Sequence, residues 1–112
     1  MKIVADANHE PAIITSEGAE RRILSYGGGI MLVQFTFAAN IRTAIHSHLH
    51  EQIGYVLLGE IDLIMEHMET VRLGAGCSYY VKPHIKHGIV TYSPTVLIDC
   101  FTPVREDFLI HE

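Results

Sequence analysis

Eight histidines occur in 112 residues, and they cluster. The segment Ala44-Ile45-His46-Ser47-His48-Leu49-His50-Glu51-Gln52 sets His46 and His48 two apart, so that on an extended chain both imidazoles point to the same side. Imidazole is the commonest metal ligand and the usual general base near neutral pH. An HxH pair alone is more often a solvent-facing polar pair than a ligand set, and a site needs further donors from neighbouring strands. Gln52 and His87 are the candidates for that role. His50, beside Glu51, fits either a supporting contact or simple exposure, and His9, His67 and His111 stand in polar surroundings and are read as surface residues. A second candidate is Asp99, in the otherwise apolar run Thr95-Val96-Leu97-Ile98-Asp99-Cys100-Phe101. Alternation puts Asp99 and Phe101 on one face and Ile98 and Cys100 on the other. A buried carboxylate without a partner is costly, so Asp99 either pairs with Arg105 or faces a polar cavity.

Short β-rich runs must position these groups. They are Arg22–Tyr26, Ile30–Phe37, Gln52–Leu58, Ile61–Met65, Thr70–Leu73, Ser78–Val81, Gly88–Tyr92 and Thr95–Phe101. Turn residues separate them at Gly27-Gly28-Gly29, Gly59-Glu60, Gly74-Ala75-Gly76 and Ser93-Pro94, and the one helical turn expected lies near Arg105–Ile110. Many short, evenly spaced strands predict an all-β sandwich or barrel. In Ile30–Phe37, Met31, Val33, Phe35 and Phe37 share the packing face, opposite Gln34 and Thr36. Val81–His87 carries few strand formers and reads as a loop.

Composition narrows the function classes. At 112 residues, 48% apolar and 19% charged, the chain is expected to form one ordered domain over 1–112. A formal charge of −5 with scattered Lys and Arg argues against nucleic acid as a partner. Cys77 and Cys100 form no CxxC and are read as thiols. Met1–Pro11 is too polar for a signal-peptide core and Ile53–Leu58 too short to span a bilayer, so a soluble, cytoplasmic protein without membrane contact is expected. Apolar strand surfaces on so small a barrel make a symmetric homodimer the expectation.

Written out, the chain reads His46-x-His48-x3-Gln52-x6-Gly59, then Gly76-x5-Lys82-x-His84-x2-His87, and this resembles the two motifs of the cupin family. The resemblance implies a double-stranded β-helix, or jelly-roll barrel, with His46, His48 and His87 as imidazole ligands of one divalent transition metal ion. Nickel, zinc, cobalt, iron and manganese all suit such a donor set. The sequence departs from the pattern at Gln52, where an acid is usual, at Lys82 for proline, at His84 for glycine or asparagine, and at Thr91 for asparagine. With neutral ligands only, the ion keeps its full charge and favours polarising chemistry over the two-His-one-carboxylate iron chemistry, unless Glu51 swings in. His84 stands at a turn position suited to positive φ and is given a structural role.

A closer resemblance runs from about residue 18 to 109, strongest in His46–Leu57 and in Asp99-Cys100-Phe101-Thr102-Pro103-Val104-Arg105-Glu106-Asp107-Phe108-Leu109. These look like the KdgF family of small cupins of pectin and alginate catabolism, which convert 4,5-unsaturated uronates to linear 4-deoxy-5-ketouronates. Leu49, where that family commonly has proline, is a mild departure. The resemblance makes Gln52 a metal ligand and places Asp99, Phe101 and Arg105 at active-site positions. Arg105 would fork the uronate carboxylate, Asp99 shuttle a proton and Phe101 wall the sugar ring. A small iron-using cupin dioxygenase and a non-enzymatic sugar-binding cupin are the competing readings.

Overall fold

The computed structural model describes residues 1–109, and among these nine strands form two antiparallel sheets. The larger sheet has the order β1 (Ile13–Ile14), β2 (Glu20–Tyr26), β3 (Met31–Phe37), β9 (Thr95–Thr102), β4 (Glu51–Leu58), β7 (Ser78–Val81). The smaller has the order β6 (Val71–Gly74), β5 (Glu60–Met65), β8 (His87–Thr91). This is the all-β, jelly-roll arrangement expected. No helix of the described residues is long and apolar enough to cross a membrane.

Period-two alternation explains which face closes on the interior. On β9, Thr95, Leu97, Asp99 and Phe101 are buried while Val96, Ile98, Cys100 and Thr102 are only partly so. On β3, Met31, Val33 and Phe37 are buried, with Phe35 partly so, as the pattern predicts. The inward residues make two clusters. One joins Val56, Ile61, Leu63, Ile89 and Leu97; the other joins Met31, Val33, Phe101, Val104 and Phe108.

All eight expected strands are present, with ends shifted by one or two residues. The two-residue β1 was not anticipated, because Ile13-Ile14 is too short to show a period. The helical turn is α1 (Glu106–Leu109), while Ile110 and the surface reading of His111 lie outside the described residues. Gly59 turns β4 into β5 at φ +94°, where a Cβ would stand 2.5 Å from the Pro94 carbonyl oxygen and the Thr95 hydroxyl. His84 has φ 67° in the loop before β8 and its N–H donates to the His48 carbonyl at 2.7 Å, the structural role expected of it. Cys77 and Cys100 are free thiols.

Candidate metal centre and its cavity

Two parts of the chain meet to bring the imidazoles together. The connection from β3 to β4 crosses to the smaller sheet and pairs with β8 through antiparallel bridges, Arg42 with Val90 and His46 with His87. His46 N donates to the His87 carbonyl at 3.0 Å and His87 N to the His46 carbonyl at 2.8 Å. The HxH therefore lies on bridged, irregular chain just before β4 rather than inside a strand. The His46 and His87 rings sit 4.4 Å apart, His48 and His87 4.9 Å, and His46 and His48 5.9 Å. One ligand atom from each lies within 4.8 Å of the others.

Hydrogen bonding decides which nitrogen each ring offers. Nδ1 of His46 faces the Ala44 carbonyl at 3.0 Å, Nδ1 of His48 the His50 carbonyl at 3.0 Å, and Nδ1 of His87 the Ile85 carbonyl at 2.8 Å. A carbonyl only accepts, so all three Nδ1 atoms are the protonated ones and all three Nε2 atoms carry lone pairs. His87 Nε2 is buried and has no hydrogen-bond partner. His48 Nε2 stands 2.9 Å from Gln52 Oε1, whose own Nε2 donates to Asp99 Oδ1 at 3.0 Å. Two lone-pair donors converging this way are what a cation would draw on. The donor set fits a transition metal ion held by His46, His48 and His87, with the Gln52 carbonyl oxygen turned to the same place.

Burial disfavours the charged forms of His48 and His87. It pushes His87 down to about 4, with the Ile85 carbonyl opposing and the neighbouring histidines adding to the effect. It lowers His48 as well, with the Gln52 amide oxygen beside Nε2 opposing. His46 is the exposed member. His50, left open between two readings, is buried, and its ring packs 5.6 Å from His48 and 6.4 Å from Phe101. His9 is the surface residue expected, paired with Asp6 at 2.8 Å, and His67 sits in an exposed left-handed turn.

Behind the imidazoles lies a cavity of about 400 Å³ between the sheets, lined among others by His46, His87, Gln52, Asp99, Phe101 and Arg105. Asp99, 2% exposed, accepts from Gln52 and from the Tyr79 hydroxyl at 2.9 Å. The ion pair with Arg105 entertained from sequence does not form: Arg105 closes on Asp107, Nε to Oδ1 at 3.0 Å and Nη2 to Oδ2 at 2.8 Å. Burial raises Asp99 to about 6, with the Gln52 and Tyr79 hydrogen bonds and Arg105 pulling the other way. Tyr79, raised well above its ordinary value chiefly by burial, stays a neutral donor. Phe101 stacks edge-on to the His48 ring at 5.8 Å. Glu51 bonds to Tyr80 on exposed surface, away from the imidazoles, so it does not complete a two-His-one-carboxylate set.

Tyr79 is the member that sequence reading missed. Across the sheet Val33 pairs with Asp99, Asp99 with Gly54, and Gly54 with Tyr79. Tyr79 reaches Asp99 over the bare Gly54: a Cβ there would collide with the Tyr79 ring and stand 2.5 Å from Asp99 Oδ1. A lone glycine inside the apolar run Ile53–Leu58 was the available signal of such a close approach.

Comparison with known proteins agrees with this geometry. The Cupin domain family matches residues 33–101. The chain is 34% identical over 95 residues to the pectin degradation protein KdgF of Dickeya dadantii, covering 83% of this chain and 86% of that one. Among solved structures, an RmlC-like cupin from Shewanella frigidimarina superposes with a TM-score of 0.90 at 30% identity, covering 96% of both chains. KdgF from Halomonas sp. superposes at 0.85 and 28% identity, covering 96% of this chain and 99% of that one.

Proposed function

This chain belongs to the cupin family, and on that premise we propose that it is a metal-dependent enzyme of pectin or alginate breakdown that opens 4,5-unsaturated uronates to linear 4-deoxy-5-ketouronates. The observation that carries the reading is a buried carboxyl, Asp99, raised to about 6 and facing the same cavity as His46 and His87, two of the three clustered imidazoles. Proton transfer at a sugar enol ether needs a group of that kind beside a centre that stabilises negative charge.

The substrate is a cyclic hemiacetal whose ring oxygen is part of an enol ether. Loss of the anomeric hydroxyl proton forms the aldehyde as the bond from the anomeric carbon to the ring oxygen breaks. The ring oxygen leaves as an enolate, and a proton added at carbon four gives the ketone, so the net change is an isomerisation without oxygen or redox cofactor. A divalent ion on His46, His48, His87 and Gln52 supplies Lewis acidity toward oxygen. Asp99 carries the proton, and a proton affinity near neutrality suits both its uptake and its release. Tyr79 and Gln52 hold the Asp99 carboxyl in place. Phe101 forms an apolar wall, and the guanidinium groups of Arg21 and Arg105 add a cationic lining. A cavity of about 400 Å³ accommodates one monosaccharide.

The neutral donor set argues against the iron dioxygenase reading, and a sugar-binding protein without activity would leave the alkene intact. The test is loss of the conjugated alkene's ultraviolet absorbance when purified protein meets 4,5-unsaturated galacturonate. We expect rapid loss in wild type and background loss after metal stripping or in His48→Ala. Wild-type loss no faster than background would overturn the reading, and oxygen consumption in step with turnover would favour the dioxygenase.

A further inference from the structure

The cavity is lined by two guanidinium groups, and they are not equivalent. Arg105 gives both Nε and Nη2 to Asp107, the two-point fork with which arginine grips a carboxylate. Arg21, on β2 opposite Phe35, has no ion pair among the described residues, whereas Arg22 pairs with Glu20 at 2.8 Å and Arg105 with Asp107. Its Nε is buried without a hydrogen-bond acceptor. Its guanidinium carbon lies 4.1 Å from the centre of the Phe108 ring, which Arg105 also approaches, to 4.0 Å. Stacking on an aromatic ring fixes the guanidinium plane while leaving its N–H edge free to donate.

A buried N–H without an acceptor costs roughly 1–3 kcal/mol, so such a donor is unusual unless something supplies the acceptor. Burial works against the Arg21 cation, Asp107 favours it, and Arg105 repels it, so its charge is incompletely balanced. Anion binding would relieve both deficits.

We propose that Arg21 grips the carboxylate of the acidic sugar in this cavity, while Arg105 is held back by Asp107 as a supporting charge. This rests on the uronate reading of the site and reassigns within it the task that the sequence resemblance gave to Arg105. The consequence for specificity is that a neutral sugar of the same shape leaves Arg21 without its partner.

The experiment compares wild type, Arg21→Gln and Arg21→Lys, each loaded with metal and checked for fold by circular dichroism. With 4,5-unsaturated galacturonate, Arg21→Gln should raise KM by roughly tenfold to a hundredfold with a smaller change in kcat, and Arg21→Lys should recover part of the loss. Alongside, calorimetric titration with saturated galacturonate should show binding in wild type and its loss in Arg21→Gln. Folded Arg21→Gln with an unchanged KM would overturn the proposal. Should Arg21→Gln fail to fold, Arg21→Lys decides: a raised KM supports the assignment and a wild-type KM overturns it. If wild type leaves the alkene untouched, the reaction assignment falls, and the titration alone judges Arg21. Equal galacturonate binding by both forms, or binding by neither, overturns the assignment.

Discussion

Asp99 sits at 2% exposure among apolar strand residues, satisfied by one amide and one phenol. Replacing it with Asn keeps the shape and both neighbours but removes the proton carrier. Asp99→Asn should lose turnover while metal content, measured by elemental analysis, stays at the wild-type level; retained turnover would mean that another group moves the proton. Tyr79→Phe removes a hydrogen bond to a buried acid and should cost about 1–3 kcal/mol in chemical denaturation. The metal-free protein should also report His87 through pH. An unfolded histidine takes its proton near 6.5, whereas folded His87 resists until about 4. Above 6.5 neither state is charged and His87 contributes nothing. As pH falls from 6.5 toward 4 the unfolded chain gains a proton that the fold refuses, so stability declines through that window and levels off below it. Denaturation at pH 7 and pH 4.5 should show the decline, and it should be smaller in His87→Asn. Most of this site was legible because its residue types are rare and stand in short recognisable patterns, His46-x-His48-x3-Gln52 and the lone Asp99 of an apolar strand. Tyr79 and Arg21 were not, because nothing in an isolated strand says which partner lies across from it.

Strand register is where that missing information resides. Gly54 matters because it pairs with Asp99 on one side and Tyr79 on the other. Gly54→Ala should push the Tyr79 ring off Asp99, destabilise by about 1–3 kcal/mol and depress turnover with metal binding kept. Wild-type activity would show that the Tyr79 contact is dispensable. The strands themselves were readable because β-formers alternate between clear turn signals, as in Met31–Phe37 and Thr95–Thr102. Alternation also told which way Asp99 and Phe101 point. It could not tell that the chain from Arg42 to His46 bridges to β8, since those bridges unite segments far apart in sequence and use scarcely any strand formers.

Taken whole, the molecule turns one apolar face outward. Ile53, Tyr55 and Leu57 on β4 and Tyr80 on β7 are 57%, 43%, 54% and 50% exposed, all on the side of the larger sheet away from the cavity. A symmetric dimer through this face is the expected state, and light scattering should return twice the chain mass, falling to the monomer in Ile53→Glu; a wild-type monomer mass would refute it. The cavity lies on the other face of the same sheet, so the Ile53→Glu monomer should still bind metal.

The bridge between His46 and His87 has a further consequence, in chain entropy. It joins two segments about forty residues apart, and bringing such segments together is a cost that an unstructured chain would meet in full on chelating an ion. Here backbone pairing has already closed that loop, so the ion finds its donors assembled and has little to gain from the unfolded ensemble. Metal should therefore act as a ligand of the native state alone: the stripped protein melts cooperatively, and its midpoint climbs steadily with free metal concentration.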